Sequence, residues 1–267
     1  MDAPHTQAPA WCGEFEIPEG TRSQWRVGPV TIWIERNHGE WRIATELSEG
    51  DDDVRVEYTA NAPETDLMAR KNVVRIGTSA ESNQVTLEPR LADRDVVTKP
   101  LKPFYVAAGE QVSVFVGSPL WLAVGYGNPA RTMHEFPLVR PSDTWFGDNT
   151  MVGEVCYASR TQCRLRLENL PARPHRAATK VLVNNQSDTP LLLTRMKLPV
   201  QYLPLYYDED GVFWTRDITV TNDAVDKPAA IRHRDEPPAL ARSPRLISQA
   251  RTYGGENLVM KVFSLFR

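Results

Sequence analysis

Trp25-Arg-Val-Gly-Pro-Val-Thr-Ile-Trp-Ile-Glu-Arg36, followed by Asn37-His-Gly-Glu40 and Trp41-Arg-Ile-Ala-Thr-Glu-Leu47, is the stretch that decides the fold class. Two runs rich in β-branched and aromatic residues flank a short segment holding Asn and Gly, which is the pattern of a β-hairpin. The same grammar recurs over residues 54–59, 73–77 and 84–88, where apolar and polar residues alternate with the period of a half-buried strand. Over residues 104–106, 112–116 and 120–124 the alternation thickens into near-continuous apolar runs suited to central strands.

Residues 125–134 carry Gly, Asn, Pro and Arg without periodicity, which places a domain boundary near residue 130. Beyond it, short strands are predicted over 135–139, 152–158, 164–168, 179–184, 191–195, 200–207 and 212–221. Asn185-Gln-Ser-Asp188 and Asp208-Glu-Asp-Gly211 supply turn chemistry between them. From Asn222 onward, prolines at 228, 237, 238 and 244 alternate with Arg232, Arg234, Arg242, Arg245 and Arg251, the composition of a basic extended linker. In the final stretch, Lys261, Ser264 and Arg267 recur every third position, which keeps one polar stripe on a helix. The expected architecture is therefore all-β, with two antiparallel β-sandwich domains. Residues 1–130 form the first, residues 131–225 an immunoglobulin-like second, and 226–267 a basic Pro-rich linker ending in a short C-terminal amphipathic helix.

Composition narrows the function classes. Among 267 residues, 31 Lys and Arg against 34 Asp and Glu leave a net charge of −3, so no global field steers the chain to nucleic acid. With 41% apolar residues and no apolar run near the ~18 that spans a bilayer, neither a disordered nor a transmembrane chain is expected. The 21 prolines outnumber the 15 glycines and argue against long helices. Three cysteines, at 12, 156 and 163, make no disulfide framework, and residues 1–10 hold no apolar secretory segment. A cytoplasmic protein is expected, peripheral at the inner membrane if its tail docks there.

The densest polar stretch is Arg140-Pro-Ser-Asp-Thr-Trp-Phe-Gly-Asp148, followed by Glu154 and Cys156. It makes Asp143, Trp145, Phe146, Asp148 and Glu154 the candidate binding residues: carboxylates for acid–base work, and an aromatic for a ligand shelf. Asp and Ser also form ordinary turns, and that structural reading outweighs the catalytic one. His134, His175 and His233 show no metal-ligand spacing, and Cys156 has no histidine motif near it, so no catalytic residue, metal or cofactor is expected. The apolar side chains of the tail, Leu258, Val259, Val262, Phe263, Leu265 and Phe266, are the candidate docking residues for a partner groove or an anionic membrane, or a cover for the protein's own sheet edge.

The stretch Phe136-Pro-Leu-Val-Arg-Pro-Ser-Asp-Thr-Trp-Phe-Gly-Asp148, with Gly153-Glu-Val-Cys-Tyr-Ala158, Arg173-Pro-His-Arg-Ala177 and Leu198-Pro-Val200, resembles an uncharacterised prokaryotic domain-of-unknown-function family. Its members are often encoded near small-conductance mechanosensitive channels of the inner membrane. The resemblance implies no catalytic residues. It does imply a soluble protein whose partner is a membrane channel. The expected function is thus a non-enzymatic interaction protein. The alternative is a small-ligand or carbohydrate-binding module or hydrolase centred on Asp143, Trp145, Asp148 and Glu154.

Overall fold

The computed structural model describes residues 9–63, 66–79, 82–127, 129–147, 151, 153–223, 229–233 and 235–253, with the backbone of 260–262. In chain order the first strands are β1 (Gly13–Glu16), β2 (Arg22–Val27), β3 (Val30–Asn37), β4 (Glu40–Leu47), β5 (Val56–Thr59), β6 (Val73–Gly77) and β7 (Gln84–Leu91). Then come β8 (Val96–Thr98), β9 (Phe104–Val106), β10 (Gln111–Tyr126), β11 (Arg131–Pro137), β12 (Asp143–Gly147) and β13 (Gly153–Ala158). The last group is β14 (Arg176–Asn185), β15 (Leu191–Leu193), β16 (Met196–Leu198), β17 (Leu205–Tyr207), β18 (Phe213–Thr215), β19 (Ile218–Asn222), β20 (Ala229–His233), β21 (Arg245–Ser248) and β22 (Met260–Val262). The helical segments among the described residues are short 3-10 turns, at Leu67–Ala69, Leu167–Asn169 and Val200–Tyr202. None is long and apolar enough to cross a membrane. The all-β expectation holds.

The chain divides into two compact units, and it passes between them several times. The first comprises Met1–Arg90, Leu120–Arg140 and Arg173–His175; the second comprises Leu91–Pro119, Pro141–Ala172 and Arg176–Arg267. The first is built on a five-stranded antiparallel sheet of order β5-β2-β3-β4-β6. Strict alternation divides its residues: Trp25, Val27, Ile32, Ile34, Trp41 and Ile43 share one buried face. The other face carries an ion network in which Glu35 receives Arg22 at 2.5 Å and Arg42 at 3.3 Å. A small apolar island of Trp33, Ala44 and Leu67 sits on that same side, with the Arg70 guanidinium over the Trp33 ring at 3.6 Å. The run from Trp25 to Arg36 is two strands, because Gly28, at φ +54, begins a two-residue turn that closes Val27 onto Val30.

In the second unit β14 is the organising strand. It pairs antiparallel with β10 from Gln111↔Asn184 to Pro119↔Arg176, and parallel with β18 and β19. Pro119, which has no N–H to give a ladder, falls where β10 stops pairing with β14; from Trp121 its residues pair with β11. The turn after β17 behaves as its composition requires: the Asp208 carboxylate accepts from the Asp210 and Val212 amides and from Trp214 Nε1 at 2.7 Å. A four-stranded sheet of order β12-β13-β8-β16 and a two-stranded ribbon of β15 and β9 complete this unit's sheets.

Several expectations are corrected here. The strand pairs are not all antiparallel, since β13 runs parallel to β8 and β14 parallel to β18 and β19. The turn after β14 does not fold β15 back as a hairpin partner. Buried Asn185 instead donates to the carbonyls of Val106 and Thr189, at 3.1 and 2.8 Å, and β15 pairs with β9. The basic Pro-rich stretch is not a free tether, because β20 pairs with β19 and β21 with β17, with Ala229 and Ile231 buried. The C-terminal amphipathic helix is replaced, over the residues described, by strand β22, paired Ala229↔Val262, Ala230↔Lys261 and Ile231↔Met260. The backbone donors and acceptors of β20 supply a ladder that overrides the three-residue polar period. Val262 lies in that strand, whereas Leu258, Val259, Phe263, Leu265 and Phe266 lie outside the described residues.

Candidate functional site

Asp143, Trp145 and Phe146 are not in a loop. They form β12, at the edge of the four-stranded sheet, paired antiparallel with β13. Direct cross-strand partners share a face, so the register Phe146↔Glu154 and Trp145↔Val155 splits the candidate residues between two sides. Asp143, Trp145 and Val155 are on one, Phe146 and Glu154 on the other. Asp148 lies outside the described residues.

The outer side is apolar and exposed, with Trp145 at 40% and Val155 at 49%. Gly153 makes this possible: a Cβ there would come within 2.7 Å of the Trp145 ring, so only glycine lets the indole lie over the strand. Asp143 sits 3.6 Å from Arg94, whose guanidinium also covers the Tyr157 ring at 5.1 Å. Tyr157 in turn donates to Asp93 at 3.1 Å; burial and the Asp93 charge both push its phenol upward. Arg195 donates to the carbonyls of Trp145 and Gly147, at 3.3 and 3.4 Å, and packs over Phe146 at 4.9 Å. It thereby occupies the carbonyl row on the free edge of β12.

The inner side holds an ion triad that sequence reasoning missed. Lys197, in β16, lies 2.9 Å from the Asp95 carboxylate and also bonds Glu154. Asp95 and Lys197 are buried, while Glu154 is half-exposed. Burial pushes the Asp95 carboxyl up; the Lys197 ammonium and the Gln201 amide oppose this without overcoming it. Burial also opposes the charge on Lys197, but two carboxylates outweigh it and hold the ammonium charged above the usual lysine range. One cation shared between two anions leaves the more deeply buried anion undercompensated. The sequence signal was slight: a lysine between Met196 and Leu198, two residues after Arg195, in a mostly apolar stretch.

Thiol chemistry is disfavoured on this side. Burial, reinforced by Glu154 and Asp95, pushes Cys156 up to about 12, and burial pushes Cys163 up to about 11. The histidines are placed elsewhere. His134 stands on β11 with its ring against Phe136 at 5.7 Å, and burial pulls its pKa down. His175 is fully buried in the first unit, with Nε2 2.9 Å from Asp51, which also receives Arg173 at 2.7 Å. This looks like the base and orienting acid of a catalytic pair, yet Nδ1 faces the backbone of Gly28. Even a Cβ on Gly28 would sit 2.2 Å from it, so no nucleophile fits there. Among the described residues no group of three or more His, Cys, Asp or Glu is arranged to hold a metal.

A family model described as "Protein of unknown function (DUF432)" matches residues 11–267. The chain belongs to the DUF432 family. No curated protein and no solved structure matches it. The family match runs through both compact units of this DUF432 chain, so the edge hairpin, the Lys197 triad and the Asp51–His175 pair all lie within the matched residues.

Proposed function

We propose that this DUF432 protein is a non-enzymatic interaction protein that docks on its partner through the outer face of the β12–β13 hairpin. The observation that carries the reading is the cross-strand pair Trp145↔Val155. These are two large apolar side chains presented side by side on an edge hairpin, with glycine at 153 shaped to hold the indole. Asp143 on this face is engaged with Arg94, and Glu154 lies on the opposite face with Lys197, so the face offers apolar contact and not acid–base chemistry. The family's resemblance to proteins encoded beside small-conductance mechanosensitive channels supplies the partner class, a channel reached from the cytoplasmic side of the inner membrane. The C-terminal docking residues would add to that attachment.

A photo-crosslinking amino acid placed at Val155, in cells of the native host, tests the reading. Adducts to a membrane channel are expected, and Trp145→Ala should diminish them. Adducts confined to unrelated soluble proteins overturn the channel assignment. Saturable quenching of Trp145 fluorescence by a sugar or other small ligand, without adducts, replaces docking with ligand binding.

A further inference from the structure

The first unit's sheet ends at β5, and the core face does not end with it. The register Trp25↔Tyr58 and Val27↔Val56 puts Tyr58 and Val56 on the same face as the fully buried Trp25 and Val27. Tyr58 stacks on Trp25 at 5.1 Å and meets Phe15 at 5.0 Å, yet it stays 41% exposed; Val56 is 42% and Val54 58% exposed. An apolar row that belongs to the core thus lies open along the sheet's outer border.

The backbone there is equally unfinished. Gly28 N–H donates to the Arg55 carbonyl at 2.8 Å, which makes Gly28 and Arg55 a hydrogen-bonded pair of the β2–β5 ladder. In an antiparallel ladder the backbone groups alternate in direction, so those of Arg55, Glu57 and Thr59 face β2, and those of Val54, Val56 and Tyr58 face outward. The row has no proline and no bulge in its register with β2, and its charges, on Arg55 and Glu57, sit on the opposite face, where Arg55 also holds Asp53 of its own chain at 2.6 Å.

The sequence of this edge is complementary to itself. An antiparallel second copy using the outward groups must pair even-numbered residues with even-numbered residues. Centred on Val56, this register sets Val56 against the second copy's Val56 and Val54 against its Tyr58. It also sets Arg55 against the second copy's Glu57 at both ends. Sliding by one pair in either direction sets Arg55 against Arg55 or Glu57 against Glu57, placing like charges directly opposite. We propose that β5 is a self-association edge, joining two copies about a two-fold axis at Val56 so that the five-stranded sheets continue into one another. So short a ladder falls below the area of a permanent dimer, and the association is concentration-dependent.

Sedimentation velocity of the full chain from about 5 to 500 µM tests the interface. A monomer–dimer equilibrium is expected. Glu57→Arg and Arg55→Glu should each weaken self-association about tenfold or more, and an equimolar mixture of the two variants should dimerise again. Melting curves of each variant separate loss of pairing from loss of fold. Val56→Cys, in a Cys12→Ser background, keeps the edge uncharged and reads the register directly. Mild oxidation should link Val56→Cys chains to each other, whereas Val54→Cys should link only when mixed with Tyr58→Cys. A chain that stays monomeric throughout the range overturns the proposal. So does a dimer indifferent to the charge variants, or crosslinking at Val54→Cys alone.

Discussion

Replacing Lys197 by Met removes the only cation among the described residues that the buried Asp95 carboxylate holds at ion-pair distance, while keeping most of the stem that packs in β16. At 2.9 Å the pair attraction is on the order of 6 kcal/mol at an effective dielectric of 20, and the burial of two ions offsets most of it. The variant keeps one burial cost without the attraction, so unfolding of the second unit should become easier by about 3–5 kcal/mol at pH 7.5. In a domain of this size that lowers the melting temperature by about 6–20 °C. The pH dependence follows from direction. Asp95 is already raised in the folded protein, so its neutral form favours the fold: that stability is present at acid pH and is lost as pH rises through the raised value. Without Lys197 the value rises further, so the destabilisation must be larger at pH 8 than at pH 5. The pairing of Asp95→Leu with Lys197→Met should recover most of the loss, because the charge it leaves, on Glu154, is half-exposed and not buried. Thermal denaturation followed by circular dichroism at both pH values decides it. A loss below about 1 kcal/mol at pH 7.5, or one that grows on acidification, would refute the reasoning.

Gly28→Ala should destabilise the first unit by about 2–5 kcal/mol, since a positive φ and a Cβ 2.2 Å from His175 Nδ1 together force the buried imidazole off Asp51; urea titration measures it. Burial pushes Glu35 upward, but hydrogen bonds from Asn37 and Arg22 carry it below the ordinary glutamate value. Its stabilisation is therefore present above the unfolded value near 4.5 and lost as pH falls through the folded one. The difference in stability between wild type and Arg22→Met should accordingly be large at pH 7 and shrink at pH 3; a difference independent of pH removes the ion pair from the account. Iodoacetamide at pH 8 should modify Cys12 in the folded protein and leave Cys156 and Cys163 unmodified until denaturant is added, because both buried thiols are held at about 12 and about 11. Mass spectrometry of the digested protein reads this directly.

What the sequence made legible was the local alternation. The runs Val30-Thr-Ile-Trp-Ile and Trp41-Arg-Ile-Ala place Ile32, Ile34, Trp41 and Ile43 on one buried face, as a period of two requires. Partner choice was not legible, because neighbours in the sheets are often distant in the chain. Val112-Ser-Val-Phe-Val116 and Leu120-Trp-Leu-Ala-Val124 read as two strands separated by Ser118-Pro119, yet they are one strand whose partner changes at the proline. The prolines after residue 226 read as a tether because proline cannot donate to a ladder. Strand β20 lies between two of those prolines and β21 follows the last of them, so neither runs across one.

The candidate site failed and succeeded for the same reason. Asp143, Trp145 and Glu154 were grouped by proximity in the chain, but on a hairpin proximity is divided by parity, and the register Phe146↔Glu154 sends Glu154 to the face opposite Trp145. The residues that give Glu154 its role, Asp95 and Lys197, come from β8's approach and β16, far along the chain in both directions. Their electrostatics depend on burial, which a lysine between Met196 and Leu198 signals only weakly. Trp145 was singled out for being aromatic in a polar stretch, and that property survives the correction from loop to strand. Its exposure beside Val155 follows from strand parity together with a neighbour, Gly153, too small to displace it. A polar cluster read from sequence is therefore best divided by strand parity before any chemistry is assigned to it. Divided this way, the carboxylates lose a common cleft and the indole keeps its surface.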